Sequence, residues 1–224
     1  MCIRDRKNSP PDGTAIAYVP SATIVQKLTM ESVPFDPLVD IQPVTLAGTV
    51  QTAFCVSPTI GVNTLPEYIE WLKKNPTRQS FGTTAMGSFT HFFGVMAGRE
   101  IGIPLEPVPY RGAAPLIADL QGGHIAAGCG GITDFLEHHR AGKVKVIFTS
   151  GTKPTTSAPE IPTATQLGYP RLQILGWYVF FVPANTLDWP EGAGYYGFDK
   201  LYDSRNVGYR GPKFGYASMP DQYT

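Results

Sequence analysis

Three observations predict an α/β fold built on a mostly parallel sheet. Short apolar runs rich in β-branched residues alternate with stretches of helical period from Thr64 to Thr149. The helical stretches open on a capping residue or close on Gly, so each reads as a separate element. Repeated strand-helix-strand units of this kind imply parallel strands covered by helices, with any ligand held beyond the carboxyl ends of the strands.

The elements follow in order. Pro10-Pro11-Asp12-Gly13 is a turn signal, Thr14 to Val19 a short strand, and Pro20 to Thr23 a loop. Val44 to Val56 reads as extended and partly buried, stopping at Ser57-Pro58. Thr64-Leu65-Pro66-Glu67 is a capping box that opens a helix with Tyr68, Ile69 and Leu72 on one face, ended by Asn75-Pro76. Gln79 to Thr83 is the next strand. Gly87-Ser88 starts a second helix whose Phe89, Phe92, Phe93 and Met96 fall at i, i+3, i+4 and i+7. Leu105 to Val108 is a strand, Ala113 to Gln121 a helix closed by Gly122-Gly123, and His124 to Cys129 a strand. Thr133 to Ala141 is a helix closed by Gly142, followed by the strand Val144 to Thr149. After a loop rich in Pro and Thr (Thr152 to Thr165), Leu172 to Val182 is a last buried strand.

Composition narrows the function classes. The 224 residues include 24 Gly and 21 Pro, while 42% hydrophobic content leaves ample material for a core. Disorder, collagen and coiled coil are excluded. Eighteen basic residues balance eighteen acidic ones, so no global field recruits nucleic acid or an anionic membrane surface. No run reaches the roughly 18 apolar residues of a membrane-spanning helix. Cys2, Cys55 and Cys129 show no CxxC, and His91, His124, His138 and His139 show no HxxxH or HExxH spacing, so neither a metal nor a cofactor is expected.

Composition changes abruptly at Leu187. The last 38 residues hold nine of the 26 aromatics and six of the 24 glycines, yet almost no Ile, Leu or Val. They are expected to be an unrelated tail joined near residues 185–188. Met1 to Arg6 resembles a translated sequencing adapter.

Eight motifs in collinear order resemble the Bug-type solute receptors, the extracytoplasmic binding proteins of tripartite tricarboxylate transporters. They are Pro11-Asp12-Gly13, Val33-Pro34-Phe35-Asp36-Pro37, Gln42-Pro43-Val44-Thr45-Leu46, Phe81 to Ser88, Val108-Pro109-Tyr110-Arg111-Gly112, Gly122-Gly123, Ala141-Gly142-Lys143 and Pro159-Glu160-Ile161-Pro162-Thr163. The resemblance runs from about Lys7 to Thr186. It implies a periplasmic-binding-protein-like, two-lobed α/β fold and a non-catalytic periplasmic receptor that passes a small carboxylate to a membrane permease. It further implies that 57–172 form a complete second lobe, that 7–56 and 173–186 are a first lobe truncated at both ends, and that a signal peptide is missing because the start is truncated. The tail instead resembles a fragment of a sulfatase-like hydrolase, an alternative reading for the chain.

Gly82 to Ser88 is the first candidate for chemistry. A loop of small residues before a helix N-terminus offers free N–H groups and the positive end of the helix dipole to an anion. Thr83, Thr84 and Ser88 add hydroxyls, and Gly87 lets a ligand approach the backbone; alternatively Ser88 is only an N-cap and the glycines only a turn. The resemblance favours the ligand role. His91, one turn into the helix, is either a ligand contact or a structural hydrogen-bonder. Tyr110-Arg111-Gly112 lies between strand and helix, with Arg111 either a bidentate carboxylate partner or a solvated cation. Ser21 and Thr23 would face the site from the other lobe, and Trp177 lines the hinge or fills a core strand. Many family members carry an acidic residue where Gly130 stands, so a ligand without a basic amine is expected.

An enzyme is the competing class. Ala127-Gly128-Cys129-Gly130-Gly131 resembles a loose nucleophile elbow, with His138 or His139 as base.

Overall fold

A computed structural model describes residues 8–29, 33, 35–37 and 39–186. The expected adapter residues 1–6 and the expected tail 187–224 lie outside the described residues. In chain order the elements are β1 (Ala17–Pro20), α1 (Ser21–Thr29), β2 (Ile41–Val56), α2 (Leu65–Lys74), β3 (Ser80–Thr83), α3 (Phe89–Glu100), β4 (Glu106–Pro109), α4 (Ala113–Gly122), β5 (Ala127–Gly131), α5 (Ile132–Arg140), β6 (Lys145–Thr149) and β7 (Leu175–Pro183). They belong to two compact units, one within Met1–Thr49 and Trp177–Thr224, the other Val50–Gly176. The chain passes between them inside β2 and inside β7, whereas the sequence reading placed those passages after Val56 and before Gln173.

In the first unit β1 pairs antiparallel with β7, Val19 opposite Val179, and β7 lies beside β2. Val19, Ile41, Trp177, Val179 and Phe181 form its core, with Ile24 of α1 packed on them. Trp177 is therefore a core residue of β7. The expected loop Pro20 to Thr23 is replaced by α1, which begins directly at Ser21. Ser21, Ala22 and Thr23 read as loop because Ser and Thr compete for backbone bonds. Here that tendency is answered from outside the helix, since the buried Ser21 hydroxyl accepts the Trp177 N–H at 3.1 Å.

The second unit carries a five-stranded sheet in the order β4-β3-β5-β2-β6. β3 is parallel to β4 and to β5, and β2 is antiparallel to both β5 and β6. Strands β3 to β6 thus share one direction, as the βαβ pattern requires, but β2 corrects the expectation of a mostly parallel sheet. It enters as a 16-residue strand from the first unit, with no crossover helix to impose the parallel direction. Its period-2 alternation serves both faces. Phe54 and Val56 join Tyr68, Phe81, Phe93 and Phe148 on one side, while Ala53 and Cys55 join Leu116, Ile132 and Phe135 on the other.

The helices anchor as their caps dictate, with two adjustments. Thr64 caps α2 by accepting the Glu67 N–H at 3.4 Å. The Glu67 carboxylate reaches the Asn63 N–H at 2.7 Å, one residue ahead of the N-cap. On α3 the buried stripe is Phe93, Gly94, Ala97 and Gly98, while Phe89, Phe92 and Met96 are only half-buried. The helix lies too close to β3 for large residues, since a Cβ on Gly94 would stand 2.0 Å from the Phe81 ring.

Tyr68 is fully buried, and its hydroxyl has no hydrogen-bond partner among the described residues. An unpaired buried hydroxyl costs about 1–3 kcal/mol. Tyr68→Phe is therefore expected to leave the denaturation midpoint unchanged or to raise it, and a clear drop would show that the hydroxyl is bonded after all.

Candidate functional site

Three helices of the second unit, α3, α4 and α5, begin at the carboxyl ends of β3, β4 and β5. None has a side-chain cap: Ser88, Gly112 and Gly131 stand at the three N-cap positions without making the bond. Thr64 and Ser57, at the starts of α2 and of the 3-10 turn Pro58–Ile60, both do. Backbone bonds tie the three uncapped starts together. Tyr110 donates to the Thr83 carbonyl at 2.9 Å, Gly112 to the Thr84 carbonyl at 3.3 Å and Thr84 to the Cys129 carbonyl at 3.4 Å. Unanswered N–H groups and aligned dipole ends thus gather along one edge.

Ser88 is the informative residue. Its hydroxyl turns back and donates to the Ala85 carbonyl at 2.6 Å instead of capping α3, which removes the plain N-cap reading. A serine has one proton, so at its 2.9 Å contact with Thr90 it must accept. Thr90 then donates to Ser88 and accepts from Thr84 at 3.4 Å, while the single Thr83 proton is shared between the Thr90 oxygen at 3.0 Å and the Ala85 carbonyl at 3.4 Å. All four hydroxyl protons are spent inside the loop, and the donors left for an anion are the first N–H groups of α3. Thr90 is the hub of this network. Sequence reading missed it because a Thr inside a helix signals nothing alone.

Gly87 sits at φ +73, a conformation that side chains rarely adopt, and its N–H donates to His91 Nδ1 at 3.2 Å. Partial burial lowers the His91 pKa, so the ring is a neutral acceptor that holds the turn. Tyr110 does not present its hydroxyl to the loop. It donates to Asp119 Oδ2 at 2.7 Å, and desolvation together with that bond pushes its pKa up to about 12. Arg111 is exposed and makes no hydrogen bond or ion pair with a described residue. Thr83, Thr84, Gly87, Ser88, His91, Tyr110 and Arg111 all cluster at this edge, whereas Ser21 and Thr23 lie on α1 of the first unit. Asp134, in the first turn of α5, is exposed, yet partial desolvation of its carboxyl raises its pKa against the Gly131 backbone hydrogen bond that lowers it.

The nucleophile elbow does not form. Cys129 lies within β5, fully buried, and burial raises its thiol pKa, the reverse of an activated nucleophile. His138 and His139 sit in the last turn of α5, where His139 Nδ1 accepts the Val146 N–H at 3.2 Å. Among the described residues no group of three or more His, Cys, Asp or Glu is placed to hold a metal ion. No described helix is long and apolar enough to cross a membrane.

The family described as "Tripartite tricarboxylate transporter family receptor" matches residues 2–189. Protein BugT of Bordetella pertussis is 29% identical over 157 residues, 70% of this chain and 48% of BugT. The solved periplasmic binding protein BugD superposes with a TM-score of 0.73 at 24% identity, over 83% of this chain and 62% of that one. Rpa4515 of R. palustris, solved with adipate, gives 0.76 at 21% identity with the same coverage. The chain thus spans about half of the curated relative's length and under two thirds of each of these solved chains.

Proposed function

The chain belongs to the tripartite tricarboxylate transporter receptor family, and from that premise we propose that it is a non-catalytic receptor that captures a small carboxylate in the periplasm and hands it to a membrane permease. The observation that carries the reading is the trio of uncapped helix N-termini joined at Thr83, Thr84 and Cys129. The N–H groups of the first turn of α3 are the proposed carboxylate contacts, with Thr84, Gly87 and Ser88 shaping the loop around them and Arg111 free to add a bidentate pair. His91, Tyr110 and Thr83 hold the loop in shape. Ser21 and Thr23 on α1 are further candidates. The periplasmic BugD and the adipate complex of Rpa4515 support the compartment and the ligand class.

Magnitudes set what this edge contributes. A helix N-terminus is worth about 0.3–1 kcal/mol per charge when exposed and up to about 2 when partly buried. Micromolar affinity needs about 8 kcal/mol. The second unit alone is therefore a weak binder, and tight capture needs contacts from outside it. Calorimetric titration of the chain with succinate, adipate and benzoate tests the reading. Millimolar or tighter binding without turnover is expected, and no binding of any of the three would overturn it.

A further inference from the structure

We propose that His139 is an acid-sensitive latch: its neutral ring holds the start of β6 against the end of α5, and protonation releases that hold. The latch is independent of the receptor reading above. His139 sits half-buried in the last turn of α5. The ladder between β2 and β6 shifts register between Phe54 and Cys55, with Cys55 opposite Val146 and Phe54 opposite Phe148. Beside that irregularity the N–H of the buried Val146 donates to His139 Nδ1 at 3.2 Å. A backbone N–H can only donate, so Nδ1 is the bare nitrogen of the ring and the proton sits on Nε2. An imidazolium carries a proton on both nitrogens and accepts nothing. Protonation of His139 and its bond to Val146 therefore exclude each other.

The surroundings set the direction of the response. His139 lines a cavity of about 240 Å³ together with Asn63, Thr64, Lys145, Glu160 and Leu167, which gives solvent protons a route to the ring. Lys145 on β6 and Arg140 on α5 oppose a charge on the ring, whereas Glu160 on the loop after β6 and the Val144 backbone favour it. The residues before α2 that face the cavity, Asn63 and Thr64, do not titrate. The carboxyl end of α5 also favours a cation. Desolvation is the largest influence, and with Lys145 it prevails, holding the ring's pKa below the ordinary 6.5. The unfolded chain thus takes up the proton more readily than the latched one. The stability that the bond lends is full above about pH 6.5 and declines as pH falls below it. Val144, Val146, Leu136 and Ile161 pack in one apolar cluster at this junction. A buried N–H deprived of its acceptor must find water, so losing the bond opens the junction between α5 and β6.

Amide exchange read by NMR on the full chain tests the latch, as protection factors corrected for the intrinsic effect of pH. Between about pH 7.5 and about pH 5, Val146 in the wild type is expected to lose about tenfold in protection while Phe81 in β3 changes by less than about threefold. His139→Asn keeps an acceptor in the place of Nδ1 but cannot titrate, so its Val146 protection should stay within about threefold over the same range. A wild-type value that acid leaves unchanged, or a variant that responds as the wild type does, would overturn the latch. An equal loss at Phe81 would do so too, by assigning the response to global unfolding. Should His139→Asn fail to fold by circular dichroism, the ring 15N signals of the wild type decide. The Nε2–H tautomer is expected at neutral pH, giving way to imidazolium in step with the loss at Val146, and an Nδ1–H tautomer at neutral pH would sink the proposal.

Discussion

Ser88→Asp is expected to abolish carboxylate binding while leaving the fold intact. The aspartate would do what Ser88 does not. Asp is a preferred N-cap, and its carboxylate would accept the free N–H groups of the first turn of α3. That gain, about 0.5–2 kcal/mol, offsets the lost bonds to Ala85 and Thr90. Stability should therefore change by no more than about 1 kcal/mol. Binding should change far more, because the introduced charge occupies the place of the ligand's own. Two like charges about 4 Å apart repel by about 4 kcal/mol at an effective dielectric of 20, a loss of about a thousandfold. Titration with adipate and a thermal melt on the same sample separate the two effects. Retained affinity would place the anion site elsewhere.

The fold was legible wherever a local rule had no competitor. Thr64 capping α2, Asn75-Pro76 stopping it and Gly123 closing α4 at φ +71 are decided within a few residues of chain. What sequence missed was settled by partners distant in sequence. Ser21 begins a helix because Trp177, 156 residues away, supplies its hydrogen bond. The buried stripe of α3 runs through Gly94 and Gly98 because Phe81 and Leu105 press on them, so Phe89, Phe92 and Met96 misreport the face and Phe93 alone of the four large apolar residues marks it. The direction of β2 depends on which unit it comes from. The candidate site divides in the same way. Gly82 to Ser88 reads as a candidate anion loop from its small residues and the family resemblance together. That Ser88 declines to cap and that Asp119 takes the Tyr110 hydroxyl are facts of packing.

Phe54→Ala should be the most damaging single change to the second unit. Phe54 sits on the interior strand β2, is almost fully buried, and stacks on Phe148 with ring centroids 5.0 Å apart. Tyr68 meets it with ring centroids 5.6 Å apart, so the ring joins α2 to β6 on one face of the sheet. Truncating a buried Phe to Ala costs about 3–5 kcal/mol through lost transfer energy and the cavity left behind. The two aromatic pairs put this site towards the upper end, at about 0.5–1.5 kcal/mol each beyond burial. Collapse cannot relieve the cavity cheaply, because β2 is flanked by β5 and β6 and its other face is filled by Ala53 and Cys55. Domains have only about 5–15 kcal/mol of net stability, so this one substitution removes a large share of it. Urea titration followed by tryptophan fluorescence in a Trp177→Phe, Trp189→Phe background, where Trp71 stacked on Tyr68 in the same cluster is the remaining indole, reads the second unit directly. A midpoint shift worth less than about 1 kcal/mol would mean that Phe54 is not the keystone of this core.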